Sequence, residues 1–381
     1  MPPDVRYGIL RRDFLLFIQR DAMGLSISTG LVDSNGEWWL PLDEANFVLK
    51  LNKNREVISL IKLNADKCRK DREWRKVKKV LQWREKIYLF SKDIFSFWEI
   101  NMKSFEVLYV PFFSDDNIFI TNVCQVEENA YVFTNDFAIP IIVINLMTHD
   151  IHTISYDKNL GNSSITRVVT DDKAIFFCNR EKKKIYMIKL ERLNEKMSYY
   201  PLDSAIYVNC LCIDDGRIWV LQKSINGKTE LVRYNKNGGI ECTLDLSNDI
   251  ELPDTIALDY FSMASSENQI ILMNVKKCAI TVVEKNTGLV HVIENKKSIN
   301  KYITGGNIIQ NEYQLTSNGV VIFALNYDAI QFFNSTNLTY DDVSISRLEK
   351  YIRMAAFDFS LILREKGDYG LKQFLGDLVN E

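Results

Sequence analysis

Histidine is nearly absent from this chain of 381 residues: there are three, His149, His152 and His291. It is the usual acid–base group near neutral pH, but His149 reads as a turn residue and His152 and His291 as residues of outer strands, so surface histidines remote from any channel site are expected. Proline and glycine are sparse as well, at 7 and 16 residues, and no stretch has the composition of a flexible linker. No window of about 18 uninterrupted apolar residues occurs, so no membrane-spanning helix is expected. The formal net charge is only −3, which supplies no field of one sign to draw DNA or an anionic membrane. Nucleic acid is therefore not an expected partner. The G-x-S-x-G nucleophile elbow, the H-E-x-x-H zinc motif and the G-x-x-x-x-G-K-[ST] phosphate loop are all missing. Acidic pairs such as Asp115-Asp116 and Asp341-Asp342 stand singly in turns, without the dense oxygen spacing of a calcium loop.

Seven cysteines, an odd number, stand at 68, 124, 178, 210, 212, 242 and 278. Most lie inside apolar strands, so buried reduced thiols and a cytoplasmic location are expected in place of a disulfide framework. Cys210 and Cys212 share one face of a strand, but no further Cys or His pair accompanies them to complete a zinc site. At the N-terminus, "LRRDFLLFI" (10–18) has an Arg-Arg-x-Phe-Leu core like that of a twin-arginine export signal. Its apolar run ends at Ile18, too soon for a signal, and 13–18 reads as a strand.

What the chain does have is a repeat. A β-rich core recurs at "GEWWLPL" (36–42), "KIYLFS" (86–91), "NAYVFT" (129–134), "KAIFFC" (173–178), "RIWVLQ" (217–222), "QIILMN" (269–274) and "GVVIFA" (319–324). Aligned at Glu37, Ile87, Ala130, Ala174, Ile218, Ile270 and Val320, these cores are 50, 43, 44, 44, 52 and 50 residues apart. A period in this range, carried by strands, means stacked propeller blades. Length alone suggests two or three domains, whereas a closed array makes one.

The third unit shows the pattern of each blade. "FITNVCQV" (119–126), "AYVFT" (130–134), "PIIVINL" (140–146) and "IHTISY" (151–156) read as strands A to D. Polar turns join A to B, as in Asp33-Ser34-Asn35-Gly36 and Asp214-Asp215-Gly216. Strand C ends in Asn52, Asn101, Asn145, Glu191, Asn235, Glu284 and Asn334, and Asn closes such turns by bonding its side chain to the backbone. One four-stranded sheet cannot bury both apolar faces alone; stacked radially, sheets bury them against each other. Trp38, Trp39, Trp98, Trp219, Tyr88, Phe133, Phe176 and Phe177 are expected to fill the wedges between blades.

The segments "KIYLF…FWEINMKSFEVLYV" (86–110) and "CAITVVEKNTGLVHVIE" (278–294) have the strand–turn–strand rhythm of kelch-like and quinoprotein-like propeller repeats. Over about 25–345 the chain resembles these repeats, which implies architecture only. The kelch double glycine after strand B is missing, since Gly238-Gly239 and Gly305-Gly306 sit elsewhere, and no functional residue carries over. The expected fold is thus all-β: a seven-bladed β-propeller of four-stranded blades over 1–345, with a short C-terminal α-helical appendage over 346–381. The strand at 14–18 is a candidate to close the ring beside 338–345.

In the appendage, Ser346-Arg347-Leu348-Glu349 has the form of a capping box. Leu348, Ile352, Ala355, Phe359 and Ile362 follow at helical spacing. Gly367 ends that helix, and a second carries Leu371, Phe374, Leu375 and Leu378 on one side. These apolar stripes either pack on the propeller itself or dock a partner through Phe359 and Phe374.

The loops indicate a binding face. Three long connections, 64–76, 247–256 and 295–308, all run from a strand D to the next strand A. They emerge on the same face as the B–C loops, and insertions gathered on one face mark a binding side. The first, "NADKCRKDREWRKVKK" (64–79), sets Lys70, Arg72 and Arg75 around Trp74. This is either a solvated charged loop or a docking patch for an acidic partner, a phosphate-bearing ligand or a glycan. B–C positions on that face carry Asp43, Asp93, Asn135, Asn179, Asn274 and Asn326. Asn122, Asn209, Asp259 and Tyr260 are channel candidates by their strand-A positions. No catalytic, cofactor-binding or metal-ligating residue is assigned. The expected function is a non-enzymatic scaffold that binds a protein or peptide through the long-loop face. The alternatives are a metal-dependent hydrolase or lyase with its site in the channel, and a glycan-binding propeller.

Overall fold

The computed structural model describes residues 27, 29–42, 47–63, 77–91, 96–112, 120–134, 141–155, 165–171, 173–179, 184–190, 198–202, 205–235, 237–252, 261–274, 279–294, 306–309, 321–325, 329–335 and 337–344. They form an all-β propeller of four-stranded antiparallel blades. Each sheet is a simple meander in which consecutive strands pair in order. Numbered along the chain, the innermost strands are Leu31–Val32, Val77–Trp83, Ile120–Val126, Ile165–Thr170, Ala205–Asp214, Phe261–Ser265 and Gly306–Ile309. The expectation of seven equivalent blades is corrected here. Six sheets are complete, with innermost strands of four residues or more, while the first keeps only Leu31–Val32 in that position. There the ladder stops at Leu31 opposite Trp39. Ile27, buried in the same blade's core, belongs to no strand.

Among the described residues there is no α-helix. The expected helices over 346–381, with Phe359 and Phe374, and the expected closing strand at 14–18 lie outside the described residues, as do Glu191 and most residues of the long loops. Lys78 and Lys79, read as part of the first insertion, belong to the innermost strand of blade 2.

The wedges between blades are filled as the aromatic pattern predicts. Trp39, Trp98, Trp219, Tyr88, Phe133 and Phe177 are fully buried, and Trp38 and Phe176 nearly so. Each side chain of this size stabilises by about 1.5–3 kcal/mol when taken out of water. Cys124, Cys178, Cys210 and Cys212 are buried, in no disulfide, and add to the same cores, and Cys242 is half-buried and likewise in no disulfide. The last blade meets the first: Phe332 packs edge-on against Trp38, ring centroids 5.0 Å apart, inside the apolar cluster of blade 1.

Local sequence sets the turns. Asn52, Asn101, Asn145 and Asn235 each accept two backbone N–H bonds through Oδ1, from the residues two and three or four positions on. These are the side-chain-closed turns that Asn favours. In the A–B turns, Asp33 Oδ1 accepts from the N–H groups of Asn35 and Glu37, and Asp171 Oδ1 from those of Lys173 and Ala174. Asp33 is almost fully buried, and its second oxygen accepts the indole N–H of Trp39 at 2.8 Å.

A further regularity ties the blades together. One residue of the C–D turn adopts the left-handed conformation: Arg55, Phe105, His149, Gly238, Gly288 and Leu338 in blades 1, 2, 3, 5, 6 and 7. Every one of them meets the preceding blade. Phe105 lies against Trp39 and over the ammonium of Lys50. His149 Nε2 sits 2.9 Å from Glu99 Oε2, and its ring packs edge-on against Phe97. Gly238 abuts Tyr200, Gly288 abuts Leu244, and Leu338 packs on the core of blade 6. Arg55 reaches from blade 1 back to blade 7, pairing with Asp341 at 3.1 Å above the Phe332 ring.

Candidate interaction face and channel mouth

On the face of the A–B and C–D turns, side chains are taken up within the fold. Beyond the Asx turns, Gln82 of blade 2 bonds Ser34 of blade 1 twice, receiving the Ser34 N–H and donating to its hydroxyl. Gln125 of blade 3 donates to the Gln82 carbonyl. Lys285 of blade 6 pairs with Asp214 of blade 5 at 2.6 Å and also donates to the Ser266 carbonyl. Glu99 holds both Lys86, at 2.6 Å, and His149. The tyrosines beneath this face resist ionisation. Burial, with Cys124, Glu127 and Glu128 nearby, pushes the Tyr131 phenol up to about 12. Burial and the Glu99 carboxylate raise Tyr88, whose hydroxyl donates to the Leu146 carbonyl of the next blade.

His149 is therefore not the surface histidine its turn position suggests; it is a half-buried inter-blade contact. His152 and His291 lie on outermost strands, as expected. Among the described residues, no group of three or more His, Cys, Asp or Glu is gathered where a metal ion could be held, and no helix is long and apolar enough to cross a membrane.

On the opposite face the innermost strands begin, and there they bulge. The ladder of blade 2 skips Lys78, that of blade 3 skips Thr121, and that of blade 5 skips Asn209. All three fall opposite the third and fourth residues after the repeat anchor: Phe90-Ser91, Phe133-Thr134 and Leu221-Gln222. In blade 4, Thr166 and Arg167 stand opposite Cys178 at the same level, whereas blade 6 pairs without a shift. Bulges of this kind twist a strand and re-aim its side chains, and they recur beside binding sites. Four successive blades thus carry a bulge at the mouth of the channel.

Blade 5 departs furthest from the pattern. Its innermost strand is 10 residues long and its second strand, Arg217–Ser224, is 8. The hairpin to the third strand, Thr229–Tyr234, closes through Gly227, whose N–H donates to the Ser224 carbonyl, and Ser224 N–H donates to that of Lys228. The signal Asn226-Gly227 for such a turn stands in the sequence. Lys228 pairs with Asp245 at 2.6 Å, and Asp245 also accepts from the N–H and hydroxyl of Ser247. The bond from Lys228, then those from Ser247, hold the Asp245 carboxyl well below the usual carboxylate range. Beside this pair, Ile225 is 61% exposed and Ile206 37%.

Lys70, Arg72, Trp74 and Arg75 lie outside the described residues. The same holds for Asp43, Asp93, Asn135, Asn326, Asp259 and Tyr260. Asn122 and Asn209 are on innermost strands as expected, and Asn274 ends the second strand of blade 6. Ile206 and Ile225 are the residues that reading by repeat position missed. The signal was present in the extra length of "AIYVNCLCID" and "RIWVLQKS" relative to their counterparts.

No protein-family model matches the chain, and no curated protein matches it in sequence. Solved structures do match in shape. A streptogramin B lyase shares 14% identity at a TM-score of 0.58, over 80% of this chain and 91% of the lyase. YCF48 bound to D1 peptide shares 8% at 0.57, over 80% and 91%. PorZ, a bacterial surface component of the type-IX secretion system of Porphyromonas gingivalis, shares 11% at 0.53, over 84% of this chain and 38% of PorZ. Identities this low establish the propeller fold and nothing of its chemistry.

Proposed function

We propose that this protein is a non-enzymatic recognition scaffold, a closed ring of seven sheets that binds a protein or peptide partner through the face of the long loops. One observation carries this reading. The face on which the innermost strands begin carries bulges in four successive blades, 2 to 5, and the exposed isoleucines of blade 5. Sequence adds the long insertions on that same side, with Lys70, Arg72, Trp74 and Arg75 in the first of them. Among proteins of this shape, YCF48 is bound to a peptide, which supports the reading by analogy. The described cysteines are in no disulfide, which supports a reducing compartment, and we place the protein in the cytoplasm.

The test begins with random peptides displayed on phage and selected against the full chain. Binding measured by fluorescence anisotropy is expected to fall at least tenfold in a K70E/R72E/R75E variant or on Trp74→Ala. Hydrogen exchange is expected to show protection on the long-loop face. Protection confined to the turn face would overturn the reading. Stoichiometric calcium, magnesium or zinc in the purified protein would favour the rival, a metal-dependent propeller hydrolase or lyase. Binding of simple sugars, abolished by Trp74→Ala, would favour the glycan reading.

A further inference from the structure

The end of blade 5 at the mouth carries two exposed isoleucines, Ile206 on the innermost strand and Ile225 in the turn between the second and third strands. Ile206 is the extra residue of a bulge whose flanking residues, Ala205 and Tyr207, pair with Ser224 and Lys223, and Ile225 follows Ser224 directly. Three residues further in, about 10 Å along a strand, comes the second bulge, at Asn209. Asn209 is 2% exposed, and its Oδ1 has no donor. The bulge itself does not require this. Thr121, the equivalent residue of blade 3, donates its hydroxyl to the carbonyls of Phe133 and Thr134 on the adjoining strand. A buried acceptor left without a donor is destabilising, so blade 5 maintains at this level a group that its own bulge does not satisfy.

We propose that this end of blade 5 is a docking notch for an extended peptide segment of a partner protein, an inference that rests on the long-loop face being the binding side. An apolar side chain of the segment lies over Ile206 and Ile225, and one of its backbone N–H groups is donated to Asn209 Oδ1. The oxygen is shielded in the free chain, so this bond forms only as the Asn209 side chain turns towards the mouth. The occupant follows from the two features together. An orphaned carbonyl oxygen calls for a donor, which a lipid acyl chain lacks. Two isoleucines suit an aliphatic side chain better than the hydroxyl-rich face of a sugar. A second copy of this chain would need roughly 800 Å² from each partner for a stable interface, far more than two part-exposed side chains supply.

The phage-selected peptides described above test this with the full chain. Ile225→Asp is expected to weaken them at least tenfold, and Asn209→Leu about five- to tenfold. Asn209→Leu is also expected to leave the melting temperature unchanged or higher, because it removes an unsatisfied polar group. Ile240→Asp, at a residue 55% exposed on the outermost strand of the same blade, is expected to leave binding unchanged. Peptides that protect the long-loop face and lose affinity on Trp74→Ala, yet are indifferent to Ile225→Asp and Asn209→Leu, would overturn this inference and leave the proposed function standing. Failure to select any peptide would overturn both. A melt lowered by Asn209→Leu would show that the oxygen serves the fold, and would also count against the notch.

Discussion

Gly238 offers the sharpest test of how the blades are joined. Its φ is +80°, and a Cβ added there would stand 2.7 Å from Tyr200 Cδ1, 2.9 Å from its Cβ and 3.0 Å from its Cγ. Tyr200 belongs to blade 4 and Gly238 to the C–D turn of blade 5, so the clash falls on an inter-blade contact. Gly227 is the control: its φ is +75°, but nothing lies within 4 Å of its virtual Cβ. Alanine at 227 therefore pays only the left-handed backbone penalty, about 1–2 kcal/mol. Alanine at 238 pays that and the cost of overpacking, about 1–3 kcal/mol, because the obstructing atoms include the Tyr200 Cβ, which cannot swing aside without the backbone. Urea unfolding is expected to show Gly238→Ala destabilised by about 2–5 kcal/mol and Gly227→Ala by about 1–2 kcal/mol. In a double-mutant cycle, Tyr200→Ala is expected to recover most of the excess at 238 and none at 227. Equal losses for the two glycine variants, or no recovery in the cycle, would refute the account of the C–D turn as a blade-to-blade contact.

Two further outcomes follow from other groups. Asp33→Asn replaces a carboxylate that accepts three N–H bonds with an amide that must turn a donor towards one of them. Urea unfolding is expected to record a loss of about 2–4 kcal/mol, and a smaller loss in a Trp39→Phe background. Tyr131 ionises in the unfolded chain near its ordinary value of 10 but only at about 12 when folded. Its raised value means that its contribution is fully present below pH 10 and is lost as pH rises towards 12. Stability curves over that interval are expected to slope downward in the wild type and less steeply in Tyr131→Phe; identical slopes would exclude the shift.

Much of the fold was legible because it is written in short-range terms. Strand alternation, Asp at A–B turns and Asn at the ends of third strands are local signals repeated often enough to reinforce one another. In the third unit the observed strands, Ile120–Val126, Asn129–Thr134, Ile141–Asn145 and Ile151–Ile154, lie within a residue or two of those read from sequence. What escaped depends on partners across blades or on register. The residues that grip the preceding blade are Arg, Phe, His, Gly, Gly and Leu, so no residue type announces their common role; only backbone conformation and the neighbour's shape do. His149 was misread for this reason. A bulge shifts register by one residue without altering composition, so the unusual level at Asn209 emerged only from the ladder. The reduced first blade was hidden by "GEWWLPL", a strong second strand that implied a full-length first.

Every C–D turn contact described but one reaches backward, from a blade to the one made before it. In a chain emerging from the ribosome N-terminus first, each blade can therefore grip its predecessor as soon as its own third and fourth strands exist, with no later sequence required. One grip is out of order: Arg55 is synthesised early, while its partners Phe332 and Asp341 come some 280 residues later. Until they arrive, the nascent array is an open arc with an unpaired guanidinium at its leading end. The ring thus becomes a topologically closed object in a single late event, and premature termination anywhere before the last blade would leave an arc whose two terminal sheet faces have no partner.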